Sequence, residues 1–175
     1  MEDSSSPFVR QQVDWGAAIR AAFIGGATFL LLIQVFQPGF SPEMMVRYFA
    51  SILLGNEILA ASPDNPLTWR AYLGMGLFHF AVAFAFTAVV AFVVHHRGIL
   101  LSMLVGGILG LCLYGINTYT ITKFVPHFFI LESGFFLATH VIFGALVGAI
   151  YEALEFEVFV DASGNVINLE NPDVA

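Results

Sequence analysis

Two of the five histidines in this 175-residue chain, His79 and His140, stand inside long apolar runs. An ionisable side chain is costly in such a setting, so each is a functional hypothesis by default. His79 follows Arg70 by nine residues and His140 follows Phe128 by twelve. If Arg70 and Phe128 mark the same face of a bilayer, the two imidazoles share a depth near its middle. Bis-imidazole ligation of a b-type haem requires that arrangement. The same rings can instead bond to each other, or separately to helix carbonyls or to hydroxyls such as Thr87 and Thr139. No cofactor is needed to explain them, and haem b is the one the pattern admits.

A second polar group gathers near the start of the last apolar run. Glu132 follows Asn117, Thr118, Tyr119 and Thr120, with Lys123 and His127 between. Together they could form a polar mouth, an entrance for an ion, proton or substrate. The alternative is an interfacial cap, in which Glu132 pairs weakly with Lys123 and Tyr119 belongs to an aromatic belt. His95-His96-Arg97 is expected to be a solvated loop rather than a metal site. Adjacent residues on a helix point apart, and no third ligand is near in sequence. Glu152, Glu155 and Glu157 read as a wet helix end. The single cysteine, Cys112, lies in an apolar run, excludes an internal disulfide and reads as a small buried hydrophobe. The chain has no G-x-S-x-G, no H-E-x-x-H, no P-loop and no Rossmann glycine pattern, so no enzymatic activity and no metal are expected.

The elements that must position these residues follow from composition. Hydrophobic residues make up 58% of the chain and charged ones 11%, less than half the share a soluble domain keeps at its surface. Most of the surface must therefore face lipid. Six basic residues, none clustered, give no patch for nucleic acid or for anionic headgroups. The first apolar run is preceded by Met1-Glu2-Asp3-Ser4 and is too long for a signal peptide, so it is expected to be a retained span.

Four spans are predicted over residues 15–36, 69–94, 99–122 and 128–154, each long enough for a hydrocarbon core of about 30 Å. A polar arm, residues 1–14, precedes them. Between the first two, Ser41, Pro42 and Glu43 make a strong helix start for an amphipathic interfacial helix over 42–54, too short to span. Its apolar face is expected to carry Met44, Met45, Tyr48, Phe49, Ile52 and Leu53, with Arg47 and Ser51 elsewhere. The acidic tail, 156–175, alternates around Asp161-Ala-Ser-Gly164 and predicts a short β-hairpin. The expected fold is thus an all-α membrane protein: a four-helix transmembrane bundle with an interfacial helix and a hairpin tail. Four spans put both termini on one side, assigned to the cytoplasm because the compact His95–Gly98 loop is basic.

Rows of small residues at four-residue spacing can let helices approach closely in lipid. Ala18, Ala22 and Gly26 form one in the first span, and Ala83, Thr87 and Ala91 one in the second. Gly106 and Gly110 follow in the third, Gly144 and Gly148 in the fourth. They hold the bundle together or, alternatively, bind a partner's helix. The layout resembles the small bacterial inner-membrane proteins of the YagU-like type. The residues carrying this are Ser41-Pro42-Glu43-Met44, His79, Gly106, Gly107, Gly110, Pro126, Glu132 and His140. The resemblance covers about residues 16–155 and implies shared architecture, not a shared activity. The expected function is a non-catalytic accessory subunit of a larger bacterial inner-membrane complex, with lipid and other subunits, or further copies of itself, as partners. A small oligomeric transporter or channel and a haem electron carrier are the alternatives.

Overall fold

The computed structural model describes residues 13–37 and 39–156, together with the backbone of a short strand pair, β1 (Phe8–Val9) and β2 (Phe159–Val160). Five α-helices carry the fold: α1 (Trp15–Phe36), α2 (Pro42–Leu54), α3 (Trp69–Val94), α4 (Ile99–Tyr119) and α5 (Gly134–Leu154). All except α2 are long and apolar enough to cross a membrane. The chain is therefore a multi-pass membrane protein built as a helical bundle. Its outer surface agrees: Leu100 is 83% exposed and Phe92 80%, which lipid tolerates and water does not.

Local signals set most helix starts. Asp14 accepts from the Ala17 amide at 2.9 Å, Ser41 from Met44 at 3.2 Å and Ser133 from Phe136 at 3.0 Å. Such caps satisfy amide groups that the first turn leaves free. The cap at Ser133 corrects the expected start of the last span at Phe128. Residues Pro126–Leu131 form a 3-10 turn instead, and α5 begins only after Ser133. The third span keeps its expected extent to within one residue, Ile99–Lys123, with α4 ending at Tyr119 and Ile121–Lys123 continuing as a 3-10 turn.

The helices pack in the order α4, α5, α1, α3, α2, each mainly against its neighbours in that list. α1 begins and α5 ends at one end of the bundle, where the Asp14 amide meets the Tyr151 hydroxyl and Gly98 meets Glu152. Gln37, Ser51, His127 and Ser133 gather at the other end. All four small-residue rows are spent inside the bundle. A methyl on Gly106 or Gly110 would land on the carbonyl of Gly144 or His140, and one on Gly144 or Gly148 on that of Gly106 or Ser102. Backbone thus touches backbone between α4 and α5. Ala18 and Ala22 are buried, while Gly26 faces Phe80 and Ala83. The reading of these rows as partner surfaces finds no free row among them.

Three expectations change. The described part of the tail strand, Phe159–Val160, pairs antiparallel with Phe8–Val9 of the N-terminal arm rather than within a hairpin. The turn expected at Asp161–Gly164 and the rest of the tail lie outside the described residues. On α2 the buried face is Met45, Val46, Arg47, Phe49, Ala50 and Ser51, with Leu53 exposed. Arg47 turns inward because it has carbonyls to satisfy: it donates to Ile58 at 2.8 Å, Asn65 at 2.9 Å and Ala60 at 3.4 Å. Cys112 is exposed on the outer face of α4, not buried, because α4 packs mainly on α5 and only lightly on α3.

Candidate functional site

α4 leans on α5 and only lightly on α3, so a cleft opens between α3 and α4. It is a cavity of about 500 Å³. Phe78, His79 and Val82 of α3 form one wall, and Leu113, Ile116, Asn117 and Thr118 of α4 the other. Phe136, His140 and Phe143 of α5 and Phe29 of α1 close it from within. Phe49 and Ile52 of α2 cover it, together with Phe124 and Phe128 from the α4–α5 connection. Aromatic contacts hold these walls; Phe29 alone meets His79, Phe136, His140 and Phe143 within 6.2 Å between ring centres.

Few polar atoms belong to this lining, and their bonds fix their roles. His140 is fully buried. Its Nδ1 lies 2.9 Å from the Phe136 carbonyl, which can only accept, so Nδ1 carries the proton. Its Nε2, 3.0 Å from Asn117 Nδ2, must then accept from that amide. His79 donates from Nε2 to the Gly26 carbonyl at 2.9 Å, which leaves Nδ1 as an acceptor. The two rings do not bond to each other, and neither bonds to Thr87 or Thr139, whose hydroxyls return to their own helix at Ala83 and Phe135. Bis-imidazole haem ligation through Nε2 would require both rings to give up these bonds. Thr118 Oγ1 is buried and has no partner among the described residues.

The expected polar mouth does not come together as one site. Asn117 turns inward to His140. His127 Nε2 donates at 2.8 Å to Ser51 Oγ, whose own proton goes to the Tyr48 carbonyl. Burial lowers the His127 pKa below the ordinary histidine value, a bond to Tyr48 opposing in part. Glu132 accepts from the Tyr119 hydroxyl at 3.4 Å on the exposed rim, and it forms no ion pair with Lys123.

At the opposite end, two expectations are corrected. Glu152 is not a wet carboxylate. It accepts from the Gly98 amide at 2.6 Å and from Ser102 at 3.1 Å, and so caps α4, whose own start lacks a capping side chain. The His95–Arg97 loop is not merely solvated, since His95 and His96 both lie against Glu155. Sequence reasoning missed this pair because it spans 60 residues. A signal was present: Glu155 falls on the stripe His140, Gly144, Gly148 and Tyr151 that α5 buries. Glu157 lies outside the described residues. No family model, no curated protein and no solved structure matches this chain.

Proposed function

We propose that this protein is a non-catalytic, membrane-embedded binder of a small apolar molecule that carries one hydrogen-bonding group. The observation that supports this is the cavity between α3 and α4, apolar apart from Asn117, Thr118 and the two histidines. Its volume falls in the range of small-molecule sites, in which a few polar groups orient an otherwise apolar ligand. A helix about 10 Å across would fill roughly 1,200 Å³ over ten residues, so the cavity suits a single chain or ring rather than a partner's helix. Asn117 keeps its carbonyl free once its amide serves His140, and Thr118 has an unused hydroxyl. A ligand hydroxyl or carbonyl would find a match in this pair.

The proposal includes the location read from the sequence, the bacterial inner membrane with both termini cytoplasmic. It also includes kinship of architecture with the YagU-like type, which assigns no activity. Transport through this chain alone has little support, because Asn117, His127 and Glu132 turn to three different places.

Gentle-detergent purification of the full chain from its native membrane, followed by organic extraction and mass spectrometry, tests the reading. One apolar molecule per chain is expected, absent from Leu113→Trp, which fills the cavity. In Asn117→Leu its affinity should fall about tenfold, one hydrogen bond's worth. A chain that carries nothing, and takes up an apolar probe equally well as Leu113→Trp, would sink the proposal. The same preparation decides between a solitary binder and an accessory subunit of a larger assembly: stoichiometric partner chains establish the latter.

A further inference from the structure

We infer that His95, His96 and Glu155 form a binding site for a divalent transition-metal ion of the zinc type, at the end of the bundle where α1 begins and α5 ends. One ligand atom from each residue lies within 4.8 Å of the other two. Two imidazoles and one carboxylate are the donor set of an open zinc site, which keeps a fourth position for water. Nitrogen donors favour zinc and its first-row neighbours over magnesium or calcium.

The backbone is bent to make this cluster. His96 has a φ of +55°, the only non-glycine residue with positive φ among those described. Such a conformation is unfavourable for a side chain with a Cβ and persists where the surroundings impose it. Here it brings the His96 ring against that of His95, tilted by 39° at 3.9 Å between centres, and puts Nδ1 3.7 Å from Glu155 Oε2. The expectation that adjacent histidines point apart held for a helix; the left-handed turn cancels it.

The carboxylate also lacks its usual partners. The Glu155 side chain is 3% exposed, and among the described residues no lysine or arginine touches it. Arg20 instead holds the Leu154 carbonyl, and Arg97 the Val93 carbonyl. A buried carboxylate requires a compensating positive charge, and among the described residues only the two imidazoles lie against it. Outer bonds fix its orientation, as they do around metal ligands: Tyr151 donates to Oε1 at 2.9 Å and the His96 amide to Oε2 at 3.2 Å. Glu152 and Asp14 nearby add further negative charge.

A proton shared between His95 Nδ1 and Glu155, which are in direct contact, is the competing occupant. Metal binding displaces that proton and requires His96 to move in. The ring proton then passes to His95 Nε2, which is buried without a partner, a cost set against three metal–ligand bonds.

Tag-free, metal-stripped protein in detergent should bind one equivalent of Co²⁺ with the visible absorption of a four-coordinate site, and one equivalent of Zn²⁺ should bleach it. Zn²⁺ should raise the melting temperature as well. His96→Asn tolerates the left-handed backbone and removes only the ligand, so it should fold normally and bind at least tenfold more weakly. Glu155→Gln should behave likewise, and His127→Gln should bind as the wild type does. No binding at micromolar Co²⁺, or equal binding by His96→Asn and Glu155→Gln, overturns the inference and leaves the shared proton.

Discussion

Arg47 sits between α2 and the loop behind it, 3% exposed, with Glu43 on one side at 2.8 Å and three backbone carbonyls on the other. It ties residues 56–66, a 3-10 turn followed by a further turn, to the bundle. Arg47→Ala should cost about 1–3 kcal/mol in detergent unfolding, because three half-buried carbonyl bonds lose their donor. Arg47→Lys should recover little of it, since an ammonium cannot reach three carbonyls in a plane. His127 gives a pH dependence. Its folded pKa lies below the unfolded value of about 6.5, so the unfolded chain takes up the proton more readily. Its contribution to stability is intact above pH 6.5 and is lost as pH falls through the folded pKa. The melting temperature should drop between pH 7.5 and 5.5, and His127→Gln should remove that part of the drop.

Among the elements, α4 and α5 show how glycine sets an interhelical distance. Their carbonyls occupy the space that a Cβ would take at Gly106, Gly110, Gly144 and Gly148. In lipid no hydrophobic force drives this contact, so close approach of the backbones must supply it. Gly144→Ala pushes against backbone, not a yielding side chain, and should cost about 1–3 kcal/mol. Gly115, on α4, has open space around it. Gly115→Ala should therefore be neutral or mildly stabilising, by at most about 1 kcal/mol, because alanine favours the helix. If the two substitutions were equivalent in an unfolding series, the contact would not be what holds α4. α4 has no second strong neighbour, and that leaves the α3–α4 cleft open as a binding cavity.

For the whole molecule, the native cysteine is a probe of depth. Cys112 stands about 20 Å along α4 from Ile99, on the exposed side, within the hydrocarbon zone of a helix about 31 Å long. A lipid-soluble maleimide should label it in intact membranes while a charged one does not; labelling by both would show that water reaches this face. Trp15 and Trp69 lie exposed at opposite ends of the bundle, as interfacial anchors do.

Much of this was legible in order along the chain. Hydropathy alone gave four spans, because lipid demands about twenty apolar residues in a row and leaves few other solutions. Ser41-Pro42 marked a helix start that the structure keeps, since capping acts within four residues. What the chain order could not supply were contacts between residues far apart. The Asn117–His140 bond, the Glu152 cap on α4 and the His95–His96–Glu155 cluster join positions 23, 54 and 60 apart, and each turns on which face of a helix meets which neighbour. Composition and periodicity determined that this chain lives in a membrane as a helical bundle; only packing decided that its polar groups form a cavity wall and a ligand cluster, because side-chain partners are chosen by distance in space.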